Sequence, residues 1–118
     1  MAVNAIVVNV IYQAKPGMRE RFVEEVTRHG ILSETRAEAG CLRYEYFAAL
    51  DDPDRLFLLE HWADQAAVER HRGTKHMAQL QELKRIYVAE CVIQRFDPPA
   101  PVCCCLLYTS PSPRDTER

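Results

Sequence analysis

The hydrophobic positions along the chain follow two kinds of spacing, which predict four strands and two helical regions. Apolar and β-branched residues dominate residues 5–13, 41–50, 55–62 and 89–96. Such runs, bounded by residues that favour turns, are typical of β-strands. Between them, two regions repeat apolar residues at intervals of three and four, which is the spacing of one helix face. The predicted order is therefore strand, helix, strand, strand, helix, strand.

The first helix is predicted to continue without a break from Met18 to Gly40. Pro16 suits the first turn of such a helix, and Gly40 suits its end. The face that would pack on the sheet is one row at three- and four-residue spacing: Met18, Phe22, Val26, Gly30, Ser33 and Ala37.

The second helical region carries a capping residue at each of two starts. Asp64 can cap a helix over residues 65–72, and Thr74 can cap another after an interruption at Gly73.

The aspartate-rich turn at residues 51–54 joins the two middle strands as a hairpin. Two β-α-β halves of this length predict a ferredoxin-like β-α-β-β-α-β sandwich of class α+β, with four antiparallel strands and the helices on one sheet face.

Both faces of the predicted sheet are apolar. In the first strand, Val7 and Ile11 alternate with Ile6, Val8 and Val10. The helices cover one face, so a monomer would expose the other as a large apolar patch, which soluble monomers avoid. We therefore expect a homodimer that packs sheet against sheet across a two-fold interface.

Composition narrows the class of protein. The 118 residues allow one domain, and a hydrophobic fraction of 47% with 27% charged residues is ordinary for a globular chain. The formal net charge of −2 gives no sign of a nucleic-acid or acidic-lipid partner. No apolar run approaches the ~20 residues of a membrane span, and the start lacks the pattern of a signal peptide. We expect a cytoplasmic protein that binds neither nucleic acid nor membrane.

The end of the chain differs from the rest. Three of the five cysteines are consecutive, at positions 103–105, a spacing that neither a disulfide scaffold nor a zinc site uses. Residues 105–115 resemble a one-frame translation of a transposase adapter used in sequencing libraries. Their serine, proline and charge would also suit a disordered tail. We assign residues 1–98 to the domain and 99–118 to a disordered or artefactual tail.

Two blocks of sequence resemble one known family. Residues 38–46 read EAGCLRYEY and resemble the E-x-G-C-L-x-Y signature of the antibiotic-biosynthesis monooxygenase domain. Glu60-x-Trp62, followed by His71 and His76, resembles that family's later E-x-W and histidine pattern. The similarity spans about residues 5–96 and is nearest to small bacterial proteins called quinol monooxygenases. It implies a dimeric ferredoxin-like α+β barrel that oxidises dihydroxyaromatic substrates with O₂, without metal or flavin.

The resemblance and the side-chain chemistry together suggest a site for a small aromatic substrate and O₂. Histidine, whose ordinary pKa is ~6.5, suits removal of a phenolic proton. The candidate base is therefore His71 or His76, with Glu60 as its partner. Candidate substrate-binding residues are aromatic walls and one polar anchor: Trp62, Tyr44, Tyr46 and Asn9. We expect no cofactor and no metal, since the chain lacks a glycine-rich phosphate loop and its histidines lack a ligand spacing.

Three other functions are compatible with the same fold. An isomerase acting on a small phosphorylated, sugar-like metabolite would need cations such as Arg43, Arg72 and Lys75. A dimeric small-molecule-binding module would have no turnover. Haem degradation is disfavoured, because the position that resembles the tryptophan of the haem-degrading members is His71, and the residue ten positions later is Gln81 rather than histidine.

Overall fold

A computed structural model describes residues 5–98 of the chain. Within this range the elements are β1 (Ile6–Ala14), α1 (Arg19–Arg28), α2 (Ile31–Arg36), β2 (Cys41–Ala48), β3 (Arg55–Trp62), α3 (Gln65–Arg72), α4 (Lys75–Tyr87) and β4 (Val88–Phe96). The strands form one antiparallel sheet in the order β2-β3-β1-β4. This is the predicted ferredoxin-like α+β fold. The predicted tail, residues 99–118, lies outside the described residues, so its boundary stays a prediction.

The helical region between β1 and β2 is two helices rather than one. Gly30 has a φ of 74°, in the left-handed region, and separates α1 from α2. α1 buries Phe22 and Val26 as predicted, but α2 turns Ile31 and Thr35 inward. The prediction that a single row continues beyond Gly30 was wrong, because a left-handed residue redirects the helix axis and resets which side chains face the sheet.

The helical region between β3 and β4 is capped and interrupted as predicted. Asp64 Oδ1 accepts a hydrogen bond from Ala67 N at 2.9 Å, and Thr74 Oγ1 accepts one from Met77 N at 3.2 Å. Gly73 separates α3 from α4. None of the helices within residues 5–98 is long and apolar enough to cross a membrane. The interruption places His71 in the last turn of α3 and His76 in the first turn of α4.

The core lies between the sheet and the helices, and the other side of the sheet is left uncovered by any element within residues 5–98. On the covered side, Leu58 and Trp62 of β3 and Tyr12 of β1 are almost fully buried. The uncovered side, which we call the open face, carries aligned apolar residues from all four strands: Val7, Ile11, Phe47, Phe57, Leu59, Val92 and Phe96. Phe47, Val92 and Phe96 are exposed there.

Gly40 allows the chain before β2 to approach α3 closely. Its φ is 89°, and a Cβ at this position would lie 2.5 Å from the Cβ of Ala67. We expect Gly40→Ala to lower the free energy of unfolding by about 1–2 kcal/mol for the left-handed backbone and by about 1–3 kcal/mol more for overpacking. Gly17→Ala is the matched control, because its φ is also positive but nothing lies within 4 Å. Equal losses for the two variants in chemical denaturation would contradict the close approach.

Candidate functional site

Two buried histidines meet one carboxylate at the break between α3 and α4. Glu38, in the connection between α2 and β2, has its Oε2 atom 2.8 Å from His71 Nδ1 and 2.6 Å from His76 Nε2. His71 is 5% exposed and His76 is 8% exposed. We call Glu38, His71 and His76 the histidine–carboxylate cluster. It draws on three separate segments, so it exists only in the folded chain.

Trp62 connects this cluster to Glu60. The indole ring of Trp62 lies 4.7 Å from the ring of His71, centroid to centroid. Its Nε1 donates a hydrogen bond to Glu60 Oε1 at 2.8 Å. Burial raises the pKa of Glu60 above its usual range, although the hydrogen bond from Trp62 acts in the opposite direction. The site therefore combines an aromatic wall, an imidazole and a carboxyl group that resists ionisation.

Tyr44 and Tyr46 extend the site along β2. The ring of Tyr44 lies 6.1 Å from that of His71 and 6.1 Å from that of Tyr46. Both hydroxyl oxygens are buried without a hydrogen-bond partner among residues 5–98. Burial raises the pKa of each well above the usual value, so both hydroxyls stay protonated at neutral pH. An unpaired buried hydroxyl costs about 1–3 kcal/mol, which a ligand oxygen could recover.

Asn9 lies apart from the other predicted site residues. It faces the open side of the sheet, where its cross-strand partners are Leu59 of β3 and Gln94 of β4. Trp62 lies on the covered side, with the core. The structure thus separates Asn9 from the six predicted residues that it brings together: Tyr44, Tyr46, Glu60, Trp62, His71 and His76.

Glu38 is the member of the site that sequence reasoning did not single out. It stands in the family-like block over residues 38–46, of which only Tyr44 and Tyr46 were considered as site residues. The hydrogen-bonded pairs are 33 residues apart for His71 and 38 for His76. No helix or strand spacing relates positions so far apart. The only signal that could have pointed to Glu38 is its place as the first residue of the E-x-G-C-L-x-Y signature.

The histidine–carboxylate cluster also consists of residue types that bind transition metals. Its candidate ligand atoms all lie within 4.8 Å of one another. These atoms are the ones that hydrogen-bond to each other here, so a metal would have to replace both bonds. The sequence argument against a metal considered the spacing of the histidines alone and left out Glu38. The expectation that the protein needs no metal stays a prediction.

Two surface pockets of about 350 Å³ each border the tyrosines. One lies beside Tyr44, between Arg36 at the end of α2 and the first residues of β2. The other lies beside Tyr46, between Val23 of α1 and Leu56 of β3. Ligand pockets usually have volumes of ~300–1,000 Å³. Each pocket is therefore large enough for a small planar molecule that approaches one of the two tyrosines.

Comparison with known proteins agrees with this architecture. The family model described as antibiotic biosynthesis monooxygenase matches residues 5–83, which include both blocks noted in the sequence. The chain belongs to the antibiotic biosynthesis monooxygenase family. The curated relative "Putative monooxygenase YcnE" of Bacillus subtilis is 32% identical over 71 residues, which are 60% of this chain and 73% of that protein.

Solved structures similar to this member of the antibiotic biosynthesis monooxygenase family have the same fold. The protein PA3566 of Pseudomonas aeruginosa has a TM-score of 0.72 and 27% identity, over 82% of this chain and 96% of that one. A conserved protein of Methanosarcina mazei Go1 has a TM-score of 0.73 and 26% identity, over 82% and 95% of the two chains. The predicted family and fold are confirmed, and the family is of monooxygenase type.

Proposed function

We propose that this protein oxidises a small dihydroxyaromatic, quinol-like substrate with O₂, using its own side chains rather than a metal or flavin. The observation that carries the proposal is the placement of His71. One ring nitrogen of His71 bonds to Glu38 at 2.8 Å, and the ring packs 4.7 Å from Trp62. A base oriented by a carboxylate beside a flat apolar wall suits deprotonation of a phenol.

Deprotonation is the first of four steps. His71 Nε2 accepts the phenolic proton, and the electron-rich phenolate transfers one electron to O₂. The two radicals combine, forming a C–O bond at a ring carbon that carries hydrogen. The peroxide anion takes the proton back from His71 and becomes a hydroperoxide. This hydroperoxide loses water as its O–O bond and that C–H bond break, which leaves a carbonyl. One substrate and one O₂ give one hydroxyquinone and one water, and the substrate supplies all the electrons.

The other clustered residues bind and orient the substrate. Trp62 forms the wall against which the ring stacks. The hydroxyls of Tyr44 and Tyr46 donate hydrogen bonds to the substrate oxygens, which their unpaired, protonated state allows. Glu60, hydrogen-bonded to Trp62, holds that ring in place. His76 belongs to the same cluster through Glu38.

The test is oxygen uptake by the purified protein with hydroquinones and catechols, after treatment with a chelator. We expect one O₂ consumed per substrate, with one atom from ¹⁸O₂ in the product and the other in water. Uptake that appears only when a metal or flavin is added would contradict the proposal. Binding of these compounds without uptake would favour a binding module.

An isomerase acting on a phosphorylated, sugar-like substrate has less support from the structure. The three cations considered for the phosphate, Arg43, Arg72 and Lys75, are all exposed. Arg43 is paired with Glu45. A phosphate in the buried part of the site would therefore lack these partners. Binding that requires the phosphate group, together with no oxygen uptake, would replace our proposal.

We also propose that two chains pair through the open face to form the dimeric α+β barrel. We expect the wild-type protein to sediment at twice the 13.6 kDa chain mass. We expect Leu59→Glu to sediment as a monomer, because pairing would bury the new carboxylate at the centre of the apolar face. Leu50→Glu is the control, since Leu50 is fully exposed in the turn after β2. A wild-type monomer at micromolar concentration would contradict the pairing.

A further inference from the structure

The histidine–carboxylate cluster has the donor set and the compactness of a transition-metal site. It offers two imidazoles and one carboxylate, and the ligand atoms of the three side chains lie within 4.8 Å of one another. Proteins hold zinc with this combination, and a water molecule completes the four ligands. At zinc–ligand distances of ~2.0–2.2 Å, tetrahedral ligand atoms are about 3.3 Å apart. The contacts of 2.6 and 2.8 Å made by Glu38 Oε2 would therefore lengthen by only about 0.5–0.7 Å.

One oxygen of Glu38 is left without a partner. Both histidines contact the Oε2 atom of this carboxylate. Its Oε1 atom is buried and has no hydrogen-bond partner among residues 5–98. A buried polar atom without a partner is costly, most of all on a charged group. A cation bound to the carboxylate would neutralise that charge and give Oε1 a partner. The unpaired oxygen is thus an observation, independent of the donor set, that points to a cation.

The backbone holds the three ligands in place before any ion binds. The carbonyl of Glu38 accepts a hydrogen bond from Cys41 N at 3.1 Å, at the start of β2. The carbonyl of His71 accepts one from Thr74 Oγ1 at 2.7 Å. The same hydroxyl caps α4, which carries His76 in its first turn. An ion would therefore have little backbone to order, which favours binding.

The cluster lies just below the surface, where an ion can reach it. The exposed fractions of the side chains are 7% for His71, 10% for His76 and 12% for Glu38. Residues 5–98 contain no other group of three histidine, cysteine, aspartate or glutamate side chains arranged this closely. We therefore expect one ion for each chain.

A metal ion at the cluster would take His71 out of the proposed reaction. In that reaction, His71 Nε2 accepts the phenolic proton. A neutral imidazole has one nitrogen that carries a proton and one that carries a lone pair. When Nδ1 uses the lone pair to bind an ion, Nε2 carries the proton. His71 therefore cannot serve as ligand and as base at the same time.

We propose that Glu38, His71 and His76 form a binding site for one zinc ion, and that this ion inhibits the oxidation by occupying the base. The inhibition rests on the proposed function, whereas the binding site rests on the geometry of the cluster. Zinc is then a reversible inhibitor rather than a cofactor. Its removal frees His71 Nδ1 to bond again to Glu38.

The first test measures zinc binding to the chelator-treated full chain, by competition with a chromogenic chelator. We expect one ion per chain. Glu38→Gln replaces a ligand by a neutral amide of the same shape, so zinc affinity should fall by at least the ~10–100-fold that loss of an outer-shell partner costs. His29→Ala is the matched control, because His29 is exposed and also lies beside a carboxylate, 3.7 Å from Glu25 Oε1. It should bind zinc like wild type.

The three cysteines at positions 103–105 need a separate control, because thiolates also bind zinc. Changing all three to serine should leave zinc affinity unchanged. X-ray absorption of zinc-loaded wild type should show nitrogen and oxygen at ~2.0–2.2 Å and no sulfur at ~2.3 Å. A sulfur ligand, or a folded Glu38→Gln variant that binds zinc as tightly as wild type, would overturn the site. If Glu38→Gln does not fold, the X-ray absorption of wild type decides.

The second test measures oxygen uptake with and without zinc. Saturating zinc should lower uptake by about 10²–10⁴-fold, the range lost with a general base, and a chelator should restore it. The zinc concentration for half inhibition should match the dissociation constant from the first test. Mg²⁺ is the control, because it prefers oxygen ligands and should leave uptake unchanged.

The outcomes separate the inference from the proposed function. Zinc that binds the cluster without lowering uptake would overturn the inhibition and leave the oxygenase intact. A wild-type protein that binds zinc at the cluster but takes up no oxygen, with or without the ion, would overturn the oxygenase and leave the metal site intact. Uptake that requires zinc would overturn both the inhibition and the metal-free mechanism.

Discussion

Replacing His71 by alanine is expected to reduce substrate-dependent oxygen uptake by about 10²–10⁴-fold, the range lost with a general base. The reason is that no other histidine within residues 5–98 combines a free ring nitrogen with contact to Trp62. The measurement is kcat by oxygen electrode, together with thermal unfolding to confirm that the variant folds. His29→Ala is the matched control, because His29 is exposed at the end of α1, and it should leave uptake unchanged.

Two outcomes would contradict this assignment. Full activity in a His71→Ala/His76→Ala double variant would exclude both histidines as the base. Full activity in His71→Ala alone, with loss of activity in His76→Ala, would make His76 the base. External imidazole that restores uptake to His71→Ala would support the expected role directly.

Replacing Trp62 by alanine is expected to lower the free energy of unfolding by about 3–5 kcal/mol, the usual cost of truncating a large buried aromatic residue. Trp62 is 1% exposed and belongs to the main core cluster. Domains of this kind are usually stable by only ~5–15 kcal/mol, so the loss should be plain in chemical denaturation. Leu50→Ala, at a fully exposed position, should change stability by less than about 0.5 kcal/mol.

Trp62→Phe separates the packing of the ring from its hydrogen bond. Phenylalanine keeps an aromatic ring but leaves Glu60 without the donor that lowers its pKa. A buried acid with a raised pKa is costly to ionise in the folded state. Its destabilising effect on the fold therefore grows as pH rises from the pKa of the unfolded chain through the pKa of the folded protein. We expect Trp62→Phe to be more destabilising, relative to wild type, at pH 7 than at pH 4. An equal loss at both pH values would contradict this role of the hydrogen bond.

Local signals in the sequence determined the elements and much of the fold. The third strand has the predicted bounds, Arg55–Trp62, because an aspartate-rich turn precedes its apolar residues 56–59 and Asp64 follows its end. The helix starts after Asp64 and Thr74 were also predictable, since a side-chain cap is a short-range interaction. The break at Gly30 was not, because glycine is compatible with a helix and with a left-handed bend. Only the packing of α2 on the sheet selects the left-handed bend at Gly30.

The sequence by itself determined the family, the order of strands and helical regions, and six of the residues that gather at the site. It could not decide which face of the sheet Asn9 occupies, since both faces of its strand are apolar. Only the pairing with Leu59 shows that Asn9 lies on the open face. Nor could it bring Glu38 to His71 and His76, which are 33 and 38 residues away. Contacts at such distances depend on how α2, α3 and α4 pack together, and no local spacing encodes that packing.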